Sequence, residues 1–448
     1  MMRKKHCPTR SRAAGALMLA FLTLANLAAA GQPAAPAIVG PAAGLADSAA
    51  LRATVYGTPP QDIAPLPSAV PLQEIDIALP WARKVPEVMW FDRRLRAWYA
   101  AQDHPANLVV LISGTGSDGN TGSIQLLRAV LYGAGYHVLS LPSPTFPGFI
   151  VSASSTGVAG DLIQDSRDLY ATMQQVIAHL PHRERVTDID VVGYSLGGAH
   201  AAMVKALAAA DHRLAIHRVV MIDPPVSLFS SIGRLDQLFA QTIGSDDEGI
   251  ERLYRRLYTR IANVYRTADQ IAPGDGDVLA AAAGVLNSDA DFAAAIALNF
   301  RIALMNVFFA GDLYSGAGVV LDPQHPPRPG DSLEEVARQL RSKPFSEYFD
   351  RVLAPYYLAH RAGATRASLL ADNRLESIGE TLRTDRDYYA QSNSDDPILV
   401  QSELDWLRAT LDDRIAVYGY GGHLGNLGDR RQVADMLKML DGTWNTSP

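Results

Sequence analysis

The chain has 448 residues, 48% hydrophobic and 19% charged, with a formal net charge of −7 and a single cysteine. Such a length can bury a large core in two or three domains, and one cysteine rules out an intramolecular disulfide framework. The acidic balance argues against nucleic acid or an anionic membrane surface as a partner.

Residues 1–30 begin with Arg3, Lys4, Lys5, Arg10 and Arg12, continue as an apolar run from Ala13 to Leu27 and end in Ala28-Ala29-Ala30. That order is the pattern of a secretory signal peptide ahead of a small-residue cleavage site, and the apolar run is short for a bilayer-spanning anchor. Cys7 precedes the apolar run, where the cysteine of a lipid-anchor signal does not lie. Cleavage after Ala30 removes five basic residues, no acidic ones and the only cysteine. The mature protein is therefore expected to be exported, periplasmic or secreted, without a disulfide and without an integral membrane segment. Residues 31–73 form an Ala/Pro-rich leader ("GQPAAPAIVGPAAG", "YGTPPQDIAPLPSAVP") without periodicity. It reads as extended or disordered and is assigned no chemistry. No fixed-period repeat is present.

From Glu74 the pattern becomes regular. "EIDIAL" and "LRAWYA" read as two partly exposed strands, and "NLVVLISG" as a buried one. Helical "SIQLLRAVLYGAG", strand "YHVLSL" and the amphipathic helix "DLIQDSRDLYATMQQVIAHL" follow. Next come strand "VTDIDVVGYS", helix "LGGAHAAMVKALAAA" and strand "HRVVMIDPP". Alternation of this kind implies an α/β fold with a mainly parallel sheet covered by helices on both faces.

Residues 226–385 break that rhythm with helical patterns alone: "RLDQLFAQTI", "GIERLYRRLYTRIANVY", "DVLAAAAGVL", "FAAAIALNFRIALMNVFFA", "SLEEVARQLR" and "SEYFDRVLAPYYLAHRAG". Residues 386–448 resume it with "DYYAQSNS", "SELDWLRATL", "RIAVYGY" and "DRRQVADMLKMLDG". The helical block thus reads as an insertion separating a first core part, residues 74–225, from a second, residues 386–448. Its segment Phe292–Ala310 is long and apolar enough to suggest a membrane span. Asn299, Arg301 and Asn306 interrupt it, which favours a buried helix, either packing within the block or walling an apolar substrate pocket.

"VVGYSLGGAH" carries the chemistry. Gly193 and Gly197 flank Ser195 at minus two and plus two, the G-x-S-x-G spacing of a nucleophile elbow, with a strand entering and a helix leaving. A serine hydroxyl needs a base, and in this architecture the order is serine, acid, histidine. The candidate base is His423, the last histidine, on the glycine-rich loop "YGYGGHLGNLGD" between a strand and the final helix. The candidate acid is Asp396 in "SNSDDPILV", with Asp395 as its alternative. Asp223 in "MIDPPV" is a further possible acid position, read in preference as capping or turning the entry to the inserted block. The oxyanion donors would be the backbone N–H of Leu196 and one from "SGTGSDGN", Thr115 first and Gly116 next. No lysine or G-x-G-x-x-G pattern makes that loop a phosphate cradle. His200, five residues beyond Ser195, reads as a packing histidine. No His/Asp/Glu grouping has metal-ligand spacing in the sequence, so neither a metal nor another cofactor is expected.

Together "GYSLGG", "DDP" and "GGHLGN" resemble the α/β-hydrolase superfamily, over roughly Glu74–Val226 and Asp387–Gly442. The resemblance implies an α/β-hydrolase fold, with a mainly parallel eight-stranded sheet and a helical cap inserted after strand six. It also implies Ser195 as nucleophile, Asp396 as acid and His423 as base. The loop "SGTG" departs from the initial histidine of many lipases and esterases, which bears on the second oxyanion donor. The expected activity is hydrolysis of carboxylic esters through an acyl-enzyme, with a small-molecule or lipid-type, medium-chain substrate. A thioesterase or peptidase of the same fold, and a non-catalytic binding protein on a hydrolase scaffold, are the competing readings.

Overall fold

The computed structural model describes residues 48–444 except 82, 245–247, 250, 253, 254, 256–285 and 287. The signal-like residues 1–30, residues 31–47 of the leader and most of "GIERLYRRLYTRIANVY" and "DVLAAAAGVL" lie outside the described residues.

The strands are β1 (Gln73–Ile77), β2 (Leu95–Ala100), β3 (Ala106–Ile112), β4 (His137–Leu141), β5 (Val186–Tyr194), β6 (Val219–Ile222), β7 (Tyr388–Asn393) and β8 (Ile415–Tyr418). They form one eight-stranded sheet in the order β1-β2-β4-β3-β5-β6-β7-β8. Strand β2 is antiparallel to β1 and to β4, and every other pairing is parallel. The helices before the insertion are α1 (Ser48–Tyr56), α2 (Gly122–Gly133), α3 (Pro147–Ser152), α4 (Leu162–Ala178) and α5 (Leu196–Asp211). Those of the insertion are α6 (Leu228–Thr242), α7 (Asp289–Ser315), α8 (Glu334–Leu340), α9 (Phe345–Tyr348), α10 (Ala354–His360), α11 (Arg366–Asp372) and α12 (Gly379–Thr384). After β7 come α13 (Gln401–Leu411) and α14 (Arg430–Asp441).

The apolar run of β3 is continuous because both its faces are covered. Leu108, Val110 and Ile112 join the core that includes Leu169 and Met173 of α4 and Ala199 and Met203 of α5. Val109 and Leu111, pointing the other way, join Ile124 and Leu127 of α2 and Met436 and Met439 of α14. Alternate residues of one strand thus serve two cores, the expected consequence of a two-residue strand period. This is the α/β-hydrolase fold that the sequence resemblance implied.

Between β6 and β7 the described residues contain helices and no strand. Helix α7, with the apolar length of a membrane span, has 56% of its apolar window buried inside the protein, and the arginine at its middle is paired there. Arg301, 2% exposed, donates to Asp236 Oδ1 on α6 at 2.8 Å and to Lys343 O, and lies over the Phe239 ring. Pairing of this kind offsets part of the cost of burying a guanidinium. Helices α9 and α10 are joined by a single π turn, Phe349–Leu353. Pro355 follows at the first turn of α10 and cannot supply an amide donor, so the wider turn lets the chain pass it.

Two sequence readings are corrected. Strand β2 is not partly exposed: apart from Arg96 it is buried, because β4 pairs on its inner side. The leader is not without structure from Ser48 onward. Ser48–Tyr56 form α1, with Leu51 fully buried in a cluster that includes Phe239 and Phe292.

Candidate active site

Ser195 stands between the last residue of β5 and the first of α5, with φ 53° and ψ −131°. Positive φ is costly for a residue with a side chain, and this conformation places the hydroxyl at the crest of the turn. The turn is possible only because its neighbours are glycines. A Cβ on Gly193 would collide with Gly197 O, and one on Gly197 would collide with Ile112 O. The crest is pinned from below, where Ser195 N–H donates to Ile222 O of β6 at 2.8 Å.

His423 is brought to this crest by the loop after β8. Its Nε2 lies 2.9 Å from Ser195 Oγ, and its Nδ1 lies 2.8 Å from Asp396 Oδ2. A carboxylate accepting from Nδ1–H leaves Nε2 as the free lone pair facing the hydroxyl. Asp396 follows β7; its second oxygen accepts from Ile398 N–H at 2.9 Å, which fixes the carboxylate plane. The neighbouring Asp395 points elsewhere and accepts from Gly421 and Gly422 N–H, at 3.2 and 2.9 Å. Of the two candidate acids, Asp396 is thus the one on the histidine. Burial alone would lower the His423 pKa. The Asp396 carboxylate, through charge and hydrogen bond, outweighs it and raises the value above the ordinary 6.5.

Asp223 turns the chain at the end of β6, with φ 45°, as its position in the sequence suggests, but its side chain caps no helix of the insertion and lies fully buried beneath the histidine loop. Its Oδ2 accepts from Leu424 N–H at 2.9 Å and from Asn393 Nδ2 at 3.2 Å, while Oδ1 has no partner among the described residues. Burial, then repulsion from Asp396, raise its pKa from 3.8 to about 8, so at neutral pH it is mostly an uncharged acid. Asp223, Asp396 and His423 bring ligand-type atoms within 4.8 Å of one another, a cluster that their scattered positions in the chain do not announce. Holding a metal there would require withdrawing His423 Nδ1 from Asp396, so these residues suit the orienting of the imidazole better.

The loop after β3 passes directly beside the serine. A Cβ on Gly114 would sit 3.3 Å from Ser195 Cβ and 2.6 Å from the Tyr194 ring. Gly116 N–H is already committed to Thr145 Oγ1 at 2.9 Å, which leaves Thr115 as the available donor of the two considered. Leu196 N–H opens α5, where the first amides of a helix lack intrahelical acceptors and the helix dipole favours negative charge. Across this loop stands the insertion: a Cβ on Gly116 would lie 2.7 Å from Ala303 Cβ of α7. His200 is remote from this chemistry. It is fully buried, its Nδ1 lies 2.9 Å from Ser166 Oγ, and burial lowers its pKa to about 3, which keeps it neutral.

Sequence reading missed the supports of the histidine. Asn393 at the end of β7 donates to Gly422 O and Asn426 Oδ1, both at 2.9 Å, and Asn426 returns a bond to Asn393 Oδ1 at 2.7 Å. A buried pair of amides satisfying each other is a rigid brace. The only hint in the sequence is an asparagine two residues before "DDP" and another in "GHLGN".

No protein-family model matches the chain, and no curated protein does. Among solved structures, an α/β hydrolase from Novosphingobium aromaticivorans is similar at 15% identity and a TM-score of 0.40, covering 84% of this chain and 99% of the other. A Pyrococcus furiosus esterase is similar at 10% identity and a TM-score of 0.38, covering 84% and 92% respectively. A hyperthermophilic esterase from Pyrobaculum calidifontis is similar at 13% identity and a TM-score of 0.37, covering 88% of each chain.

Proposed function

We propose that the protein is a serine hydrolase that cleaves carboxylic esters through an acyl-enzyme on Ser195. The observation that supports this reading is the continuous contact from Ser195 Oγ through both nitrogens of His423 to Asp396, centred on a serine with positive φ. In this reading His423 Nε2 takes the hydroxyl proton as Oγ attacks the ester carbonyl. Asp396 stabilises the imidazolium without itself being protonated. The tetrahedral oxyanion accepts from Leu196 N–H and Thr115 N–H. His423 then gives its proton to the departing alkoxide, and a water activated by the same nitrogen releases the acid from Ser195.

The proposed acyl group is a medium-length apolar chain, for which α7 provides the cover. Ala303 abuts the oxyanion loop, and the helix otherwise carries long apolar stretches. The basic and apolar N-terminal run supports action outside the cytoplasm. The chemistry is tested with a fluorophosphonate, which should label Ser195 in the wild type and nothing in Ser195→Ala. Equal labelling of the two proteins would refute it. Turnover of p-nitrophenyl esters of increasing length tests the pocket, and a strong preference for acetate would defeat the apolar-chain reading.

A further inference from the structure

The histidine loop is applied to the N-terminal leader rather than to the hydrolase core alone. Four consecutive amides, at Gly421, Gly422, His423 and Leu424, each find an acceptor outside the loop. Three of those acceptors are carboxylates of the core, Asp395 twice and Asp223 once. The fourth, for His423 itself, is Thr54 Oγ1 of α1, at 2.8 Å across 369 positions of sequence. The Thr54 hydroxyl hydrogen is occupied by Ala50 O of its own helix at 2.8 Å, so its lone pairs are left facing the loop.

The fit is close over several residues. A Cβ on Gly422 would collide with Ala50 O, and one on Gly425 with Ala53 O. Beyond α1, Thr58 donates to Gly425 O at 3.1 Å and accepts from Gly428 N–H at 3.0 Å, and Ala64 N–H donates to Gly428 O at 2.8 Å. The opposite side of α1 meets the insertion. Ser48 donates to Asp289 Oδ1 at 2.8 Å, and Tyr56 meets Phe292 edge to face at 5.3 Å.

We infer that α1 is a strut, built from the leader, that sets the position of His423 and ties it to the inserted helices, with Thr54 as the positioning residue. This rests on the Ser195–His423–Asp396 reading above. Thr54 touches no reacting atom. It fixes the backbone from which the imidazole reaches both Ser195 and Asp396, and a small displacement of a catalytic base is expensive in rate.

The test compares wild type, Thr54→Val and Thr54→Ser in inactivation by a fluorophosphonate and in turnover of p-nitrophenyl butyrate, with folding checked by circular dichroism. Loss of the acceptor in Thr54→Val should lower the inactivation rate and kcat by about tenfold or more while KM moves little. Thr54→Ser, which restores the hydroxyl, should recover most of the loss. Should Thr54→Val fail to fold, Thr54→Ala, a better helix former, gives the same reading. Unchanged rates in the variant, or a loss that serine does not recover, would overturn the strut. Failure of the wild type itself to be labelled overturns the parent reading instead.

Discussion

The serine and the histidine are held in place by opposite means. Around Ser195 the backbone constrains itself: Gly193, Gly197 and the Ile112 carbonyl meet so closely that no side chain fits, and the turn has one shape. Around His423 the loop is rich in glycine, with positive φ at Gly421, Gly422 and also Leu424, and has little shape of its own. Beyond the close seating of Gly422 and Gly425 on α1, its geometry comes chiefly from hydrogen bonds to Asp395, Asp223, Asn393 and Thr54, which lie on different elements. A nucleophile fixed by steric exclusion and a base fixed by side-chain bonds should fail differently when mutated: the first all at once, the second by degrees.

The largest effect is expected at the elbow. Gly197→Ala drives a methyl group into the Ile112 carbonyl and should cost about 3 kcal/mol or more, seen as loss of soluble protein or a large fall in Tm. A folded, active Gly197→Ala would show that the turn at Ser195 is not fixed by steric exclusion.

Next comes Asp396→Asn, which should lower kcat by about 10³- to 10⁴-fold by misorienting the imidazole. It also has a pH signature. The base must be neutral, so kcat/KM in the wild type should rise with pH through an inflection above 6.5. Removing the carboxylate leaves burial as the main influence and should move the inflection down. Asp395→Asn is the matched control. It loosens the Gly421 and Gly422 amides without touching the imidazole and should cost less than about tenfold in kcat.

The smallest kinetic effect is expected from Asp223→Asn, because this acid is already mostly neutral at pH 7. Its effect is on stability. Between 3.8 and about 8 the folded protein holds a proton on Asp223 that the unfolded chain has released, so stability falls as pH rises through that window. Asparagine abolishes this dependence, and urea midpoints at pH 5 and pH 8 should lie closer together in the variant than in the wild type.

The same contrast explains what was legible in the sequence. The elbow is local: the glycines that permit it lie two residues either side of Ser195, and apolar alternation marks the strand entering it. The sheet was legible for a similar reason, since buried parallel strands are short uninterrupted apolar runs bounded by turn residues. Strand β2 misled because the exposed Arg96 suggested a half-wet strand, and only the pairing with β4 shows otherwise. Helix α1 was hidden because it has only nine residues, buries Ala50 and Leu51 alone and sits among alanine and proline. What stabilises it is packing on α7 and on a loop hundreds of positions away. The partners of the Asp223 side chain were hidden for a related reason: Leu424 and Asn393 adjoin it only after β6, β7 and β8 are laid side by side.

The φ of 53° at Ser195 has a thermodynamic consequence. A backbone held in that region costs on the order of 1–3 kcal/mol with a side chain present and much less in glycine. Ser195→Gly should therefore melt later than the wild type while losing the hydroxyl on which the proposed chemistry depends. Stability alone would favour glycine at the crest of the turn, so the serine is a thermodynamic cost for which the proposed chemistry would account.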